Sequence, residues 1–236
     1  ARGRYFYIYV IVYFAAILYL SASTIITGRE FQNRSRALIY PLMLFLTAET
    51  VIQIALPDLH VTWLCVTLLS VLYFTYCSEM WHQLDALTGL LNQNSYLNRT
   101  AEMSRSGGLL IVFDVDNFKQ VNDCYGHLQG DACLAAIAAC LKKAYACCGY
   151  CYRIGGDEFC VLLKSTAKEA ACAEEFLRQL EKKRRELTFL PTVSCGSAPL
   201  SGEDVVAVKD QADRAMYHHK KARKERAAAK QPQMTI

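Results

Sequence analysis

The sequence predicts an α+β domain whose helices cover a mixed central sheet, preceded by about three transmembrane helices, and three observations carry that prediction. Apolar residues crowd into three runs before residue 80, at roughly 5–27, 38–57 and 60–78. Each is near the ~20 residues that a helix needs to cross ~30 Å of hydrocarbon. From Trp81 onward, short apolar runs and amphipathic stretches follow in the order β-α-α-β-β-α-β-α. Two acidic sets stand at the ends of the predicted strands. The expected organisation is a membrane region over 1–80, a folded domain over 81–226 and a disordered tail over 227–236, where Gln231-Pro232-Gln233 lies.

The three runs lack the short apolar core and small-residue cleavage site of a signal peptide. Arg29, Arg34 and Arg36 follow the first run, whereas the Pro57-Asp58-Leu59-His60 turn has no Lys or Arg, so the Arg-rich loop is expected inside and the turn outside. The third span then delivers the folded domain to the cytoplasm, as part of a multi-pass protein of the cell (inner) membrane with the bilayer as its partner. Three spans with a cytoplasmic C-terminus would place Arg2 and Arg4 outside, against the rule, and a chain beginning at Ala1 without Met suits a fragment of a longer protein with further spans upstream. Glu49 and Gln53 share one face of the second span, which suits interhelical hydrogen bonding by a neutral Glu49 better than a ligand or proton input.

In the folded part, Trp81-His82-Gln83-Leu84 is a short connector, and Asp85 to Asn92 is a polar-capped turn opening a helix through about Arg105. Leu109 to Phe113, after Gly107-Gly108, reads as a buried strand ending in carboxylates. A short helix around Asn117–Asn122, a Gly126 turn and a long helix from about Gln129 to Ala146 follow. Tyr150–Ile154 and Phe159–Leu163 form a hairpin across a Gly-Gly turn. Lys168 to Glu186 is an amphipathic helix, Thr192–Ala198 a strand, and Glu203 to about Arg226 a helix rich in Lys and Arg.

Charge and cysteine usage narrow the classes. A net charge of +4 with no basic-aromatic groove argues against nucleic acid as a partner. Nine of the 11 cysteines fall in the part expected in the cytoplasm, where thiols stay reduced. Cys147-Cys148-Gly149-Tyr150-Cys151 lacks the second ligand pair of a zinc site, and its cysteines read as small buried hydrophobes.

The chemistry lies in the acids. Asp114 and Asp116 end the first strand, and Asp157 and Glu158 sit on the hairpin turn, so neighbouring strands can bring both sets to one edge. Hard carboxylate oxygens suit Mg²⁺ carrying substrate phosphates. Gly155 and Gly156 leave the backbone open to a triphosphate. Taken singly, Gly-Gly-Asp-Glu or Asp-x-Asp is most often a solvated turn. Here both occur in one domain with Lys119, Asn122 and Asp131 between them and a Lys-rich helix beyond.

The pieces Asp85-Ala86-Leu87-Thr88-Gly89-Leu90, Phe113 to Asp123, Tyr125-Gly126-His127 with Gly130-Asp131, Tyr152 to Phe159, and Ala212 to Tyr217 with Lys220 resemble, in order and spacing, the GGDEF family of diguanylate cyclases. The resemblance covers roughly three-fifths of the chain, from about Asp85 to Glu225. It implies a nucleotide-cyclase palm-like fold that condenses two GTP into cyclic di-GMP with loss of two pyrophosphates, in a homodimer with one GTP per domain. It also implies Mg²⁺, or Mn²⁺, on Asp114, the Val115 carbonyl and Asp157, with Glu158 adding charge for a second ion. Asn122 and Asp131 would bind the guanine edge, an amide and a carboxylate matching its acceptor and donors. Lys119 and Lys220 would meet phosphates, with backbone amides near Asn117 and Phe118 at a helix start. Asp157 or Glu158 would be the base.

The chain departs from the family in three places. Where many relatives carry an inhibitory Arg-x-x-Asp, this chain has Ala146-Cys147-Cys148-Gly149, so product inhibition through that site is not expected. Asn92 is followed by Gln93 rather than Arg. Lys224 stands where an Arg would contact phosphate, keeping the charge and losing the fork. The rival readings are a non-catalytic GTP-binding signalling module and a cyclase of altered product.

Overall fold

Leu109, Ile111, Phe113 and Val115 alternate with Leu110, Val112 and Asp114 along one extended run, and this two-residue period decides which face of the sheet each side chain covers. The computed structural model of the chain describes residues 62–202 and 204–230, together with scattered helical positions between 11 and 55. Two compact units result, Ala1–His82 and Gln83–Ile236. The expected spans 5–27 and 38–57, with Glu49 and Gln53, lie outside the described residues apart from those helical positions.

In the first unit, helix α1 (Thr62–Trp81) occupies most of the third expected span. Val71, Leu72, Tyr73 and Phe74 are consecutive and all exposed, so its apolar surface is not confined to one face. The end of α1 is interrupted by Thr75, Ser78 and Glu79, and among the described residues no helix is long and apolar enough to cross a membrane.

The second unit runs α2 (Gln93–Ser106), β1 (Gly108–Val115), α3 (Phe118–Tyr125), α4 (His127–Tyr145), β2 (Gly149–Arg153), β3 (Glu158–Leu163), α5 (Glu169–Glu186), β4 (Val193–Leu200) and α6 (Val205–Lys230). The strands form one sheet in the order β2-β3-β1-β4. Each neighbouring pair is antiparallel, which corrects the expected mixed sheet. The crossover through α3 and α4 does return β2 in the direction of β1. The tight turn after β2 then folds β3 back between them, so the two like-directed strands never touch. Among the described residues the one parallel pairing is an isolated bridge, Leu91 to Tyr152.

The period-two alternation gives two cores. Leu109, Ile111, Phe113 and Val115 pack with Leu134, Ile137 and Leu141 of α4 and Phe176 and Leu180 of α5. Leu110 and Val112 pack on the other face with Tyr96 and Met103 of α2 and Val208 and Ala212 of α6. Fully buried side chains such as Phe113, Leu110 and Ile137 each contribute about 1.5–3 kcal/mol relative to exposure. Asp114 shares its parity with Leu110 and Val112, so it faces the side on which α6 runs.

Helix α2 starts where the Asn92 side chain accepts the Ser95 amide. Helix α6 lies unusually close to β4, because Gly196 has no side chain: a Cβ there would stand 2.2 Å from the Met216 nitrogen and 2.3 Å from the Ala212 oxygen. It continues through Lys230, four residues into the stretch expected as a disordered tail, over Ala227-Ala228-Ala229, which favour helix strongly.

Candidate active site

The site begins with register. Antiparallel pairing of β1 with β3 sets Asp114 directly opposite Glu158. The turn between β2 and β3 is closed by the Ile154 and Gly155 amides, which donate to the Glu158 carbonyl at 3.0 and 3.4 Å. The Val115 amide donates to the Asp157 carbonyl at 3.2 Å. Asp114, Val115, Asp157 and Glu158 are therefore drawn to one edge by backbone bonds. Gly155 and Gly156 are both exposed, neither has positive φ, and a Cβ at Gly156 would meet nothing within 4 Å. A Cβ on Gly155 would press against Glu158, 3.3 Å from its Oε2, so Gly155 keeps room for that side chain, while Gly156 leaves open space beside the acids.

Arg153 braces this turn. Its Nε and Nη2 donate to the Gly156 carbonyl at 3.2 and 2.8 Å, and its Nη1 reaches the Asp85 carboxylate at 3.1 Å. Asp85 also accepts from the Thr88 amide at 2.9 Å and its hydroxyl at 2.6 Å. Burial works to raise the Asp85 pKa, but the Thr88 and Arg153 bonds outweigh it and hold the carboxyl below its ordinary value. Neither Asp85 nor Arg153 is among the residues assigned a role from sequence. The available signal was a lone opposite-charge pair in two separate motifs.

Parity brings Lys220 of α6 onto the acids. Its ammonium donates to Asp114 Oδ2 and lies 3.7 Å from Asp116 Oδ1. Partial burial works to lower the Lys220 pKa, and the bonds and charges of Asp114 and Asp116 reverse that and raise it. Asp116 itself is turned away from solvent: Thr192 and Ser194 hydroxyls donate to it at 2.6 and 2.8 Å, and its amide donates to the Thr192 carbonyl at 2.8 Å. It ties β1 to β4, leaving Asp114 as the acid presented to the site.

A second group forms between α3 and α4. Asn117, left-handed at φ 55°, caps α3, and the Gln120 and Val121 amides return to its carbonyl. The amides of the preceding turn, at Phe118 and Lys119, have no intrahelical acceptor by helix geometry. Asn122 fits against the other helix only because residue 130 is glycine. A Cβ on Gly130 would stand 1.9 Å from Asn122 Oδ1, 3.0 Å from its Cγ and 3.2 Å from Phe118 Cζ. Asp131 follows Gly130 on α4, so the two base-reading candidates come from adjoining helices.

Lys119 and Asp131 are exposed, and among the described residues neither is joined to the acids by a hydrogen bond or ion pair. Lys224 is a helical position of α6 whose side chain lies outside what is described. A cleft of about 290 Å³ opens beside Asp116 and Asn117, toward Phe189 and Thr192. It includes none of Asp114, Asp157 and Glu158, so it is a separate depression.

The unit is thus a layered α+β domain with an acid pair at one sheet edge and an amide held between two helices. Residues 82–226 match the family described as "Diguanylate cyclase, GGDEF domain", and the chain belongs to that family. Diguanylate cyclase DgcP of Pseudomonas aeruginosa is 38% identical over 160 residues, which is 60% of this chain and 23% of that protein. The cyclic di-GMP phosphodiesterase PdeR of Escherichia coli is 36% identical over 149 residues, 56% of this chain and 22% of that one. The chain thus spans under a quarter of the length of these curated relatives. Among solved structures, the GGDEF domain of DgcB from Caulobacter crescentus in complex with c-di-GMP is 28% identical with a TM-score of 0.52, covering 59% of this chain and 91% of that one.

Proposed function

We propose that the chain is a membrane-anchored diguanylate cyclase that condenses two GTP into cyclic di-GMP with release of two pyrophosphates, depends on Mg²⁺ and acts as a homodimer. The observation that carries this reading is the pairing of Asp114 with Glu158 across β1 and β3, with Asn122 and Gly130 packed on adjoining helices. The similarity to the diguanylate cyclase DgcP supports the same reading, whereas PdeR shares the domain under a phosphodiesterase name.

The donor set fits a hard divalent ion: carboxylate oxygens gather at one edge and already attract the Lys220 ammonium. Asp114, the Val115 carbonyl, Asp157 and Glu158 would hold Mg²⁺, or Mn²⁺ in its place. Bound there, the ion would neutralise phosphate charge and acidify the attacking 3′-hydroxyl. Asn122 and Asp131 would receive the guanine edge. The amides at Asn117, Phe118 and Lys119, with the side chains of Lys119, Lys220 and Lys224, would orient the triphosphate, for whose charge Asp114 competes at Lys220. Asp157 or Glu158 would take the hydroxyl proton. Gly155 and Gly156 would admit the phosphates to the turn.

Anchoring is supported by the apolar runs at 5–27 and 38–57 and by the many-sided apolar exposure of α1. The homodimer follows from a reaction in which each domain supplies one GTP. Incubation of the full chain with GTP and Mg²⁺, with products read by mass and Asp157→Ala alongside, tests the reading. Cyclic di-GMP from the parent protein and none from the variant is expected. GTP binding without any cyclic dinucleotide would overturn it in favour of a non-catalytic GTP-binding module.

A further inference from the structure

Three thiols converge beside the turn between α4 and β2. Cys147 and Cys148 lie in the turn that leads from α4 into β2, and Cys172 comes from α5. The Cys147 and Cys148 sulfurs are 3.1 Å apart, Cys172 Sγ is 3.4 Å from Cys148 Sγ, and all three sulfurs lie within 4.8 Å of one another. Read along the chain, the Cys147-Cys148 pair has no further ligands; the fold supplies one from 24 residues downstream. Cys151, the other member of the sequence cluster, leaves the group: it is buried and donates to the Leu141 carbonyl at 3.6 Å.

The expectation of small buried hydrophobes holds for Cys151 and fails for Cys147, which is exposed, and for Cys148, which is half-buried; Cys172, from α5, is buried. Packing therefore explains one wall of the cluster but not the thiol at its mouth. We infer that Cys147, Cys148 and Cys172 form a binding site for one thiophilic d¹⁰ cation of the Zn²⁺ class, held by three thiolates with a fourth position facing solvent.

The geometry suits it. With metal–sulfur bonds of about 2.3 Å, tetrahedral ligands stand ~3.8 Å apart; the separations of 3.1 and 3.4 Å are somewhat shorter, so the sulfurs need spread only by a few tenths of an ångström to take up the ion. Soft sulfur donors without carboxylate or carbonyl partners select such an ion over Mg²⁺ or Ca²⁺. The buried Cys172 fixes one ligand on a helix, while exposed Cys147 gives the ion a route in. On binding, each thiol gives its proton to solvent and each sulfur lone pair enters the metal bond, so no oxidant or reductant is involved. The ion would join the start of α5 to the entrance of β2, the strand that ends in Arg153.

The test uses the full chain, stripped of metals, kept reduced with a phosphine and titrated with Cd²⁺ as a spectroscopic probe. A sulfur-to-metal charge-transfer band that saturates at one equivalent and is competed away by Zn²⁺ is expected. Cys147→Ser and Cys172→Ser should each weaken Cd²⁺ binding on the order of 100-fold or more, beyond the loss from removing an outer partner, while Cys124→Ser should leave it unchanged. Because Cys172 is buried and its variant can lose the fold, the exposed Cys147→Ser decides, with circular dichroism confirming that it is folded. An unaltered band in folded Cys147→Ser, a band abolished by Cys124→Ser, no saturable band, or a Cys148–Cys172 disulfide in air with no metal uptake after reduction would each overturn the site.

Discussion

Replacing Gly130 by alanine adds one methyl group at the contact that holds Asn122. The new Cβ would meet Asn122 Oδ1 at 1.9 Å and Phe118 Cζ at 3.2 Å, so the amide must swing away while the ring gives slightly. Moving the Asn122 side chain off its preferred rotamer costs about 0.5–1.5 kcal/mol. Alanine in place of glycine within a helix returns about 1 kcal/mol. The two nearly cancel, and the melting temperature should stay within a few degrees of the parent's. GTP recognition should not be spared. Loss of two amide hydrogen bonds to guanine, at about 0.5–1.5 kcal/mol each, totals about 1–3 kcal/mol, or roughly 5- to 150-fold in affinity. Calorimetric titration with GTP would measure the loss, and ATP would serve as the base-blind comparison. Asn122→Ala should show a similar deficit, and the double variant should be no weaker than Asn122→Ala alone, since both changes act on one contact. Unchanged GTP affinity in Gly130→Ala, or additive losses in the double variant, would refute the positioning of Asn122 by Gly130.

Other perturbations read the scaffold. Arg153→Ala should lower stability by about 1 kcal/mol, the upper range for an ion pair still reached by solvent, seen as a fall of roughly 2–4 °C in thermal melting. The Asp85 carboxyl is held below its ordinary value of about 3.9. Its contribution is therefore full above that pH and is lost as pH falls through the depressed folded value. Acid unfolding followed by circular dichroism should accordingly separate parent from Arg153→Ala near neutrality and bring them together at low pH. Gly196→Ala drives a methyl into the backbone of α6, which cannot rotate aside, and should destabilise by at least about 1–3 kcal/mol in urea unfolding. Asp116→Ala leaves the Thr192 and Ser194 hydroxyls without their acceptor, at about 1–3 kcal/mol by the same measurement.

The placement of the acids at the candidate site was legible because its parts are local. An apolar run ending in Asp114, and a hairpin turn bearing Asp157 and Glu158, are each visible within ten residues, and antiparallel pairing alone then sets them opposite. Sheet order was not legible, since nothing in the residues themselves says that β3 inserts between β1 and β2. The division of labour between Asp114 and Asp116 was hidden too. It depends on hydroxyls at Thr192 and Ser194, presented by a strand that pairs with β1 from nearly eighty residues away. Gly130 stood in a quoted motif, but its purpose emerges only when α3 and α4 are packed. Cys172 had no sequence signal at all, because a lone cysteine on a helix resembles any small core residue.

β1 is paired along its whole length with β4 and from Leu109 to Asp114 with β3. Its interior amides are thus among the last that solvent can reach, and local opening will begin elsewhere, at α3, at the 154–157 turn or along the far end of α6. Asp114 therefore rides on the element expected to exchange most slowly, while the groups proposed to grip base and phosphate ride on helices open to solvent. Ligand arrival and departure can then proceed by fraying of the surrounding helices, with the carboxylate remaining as a fixed point throughout.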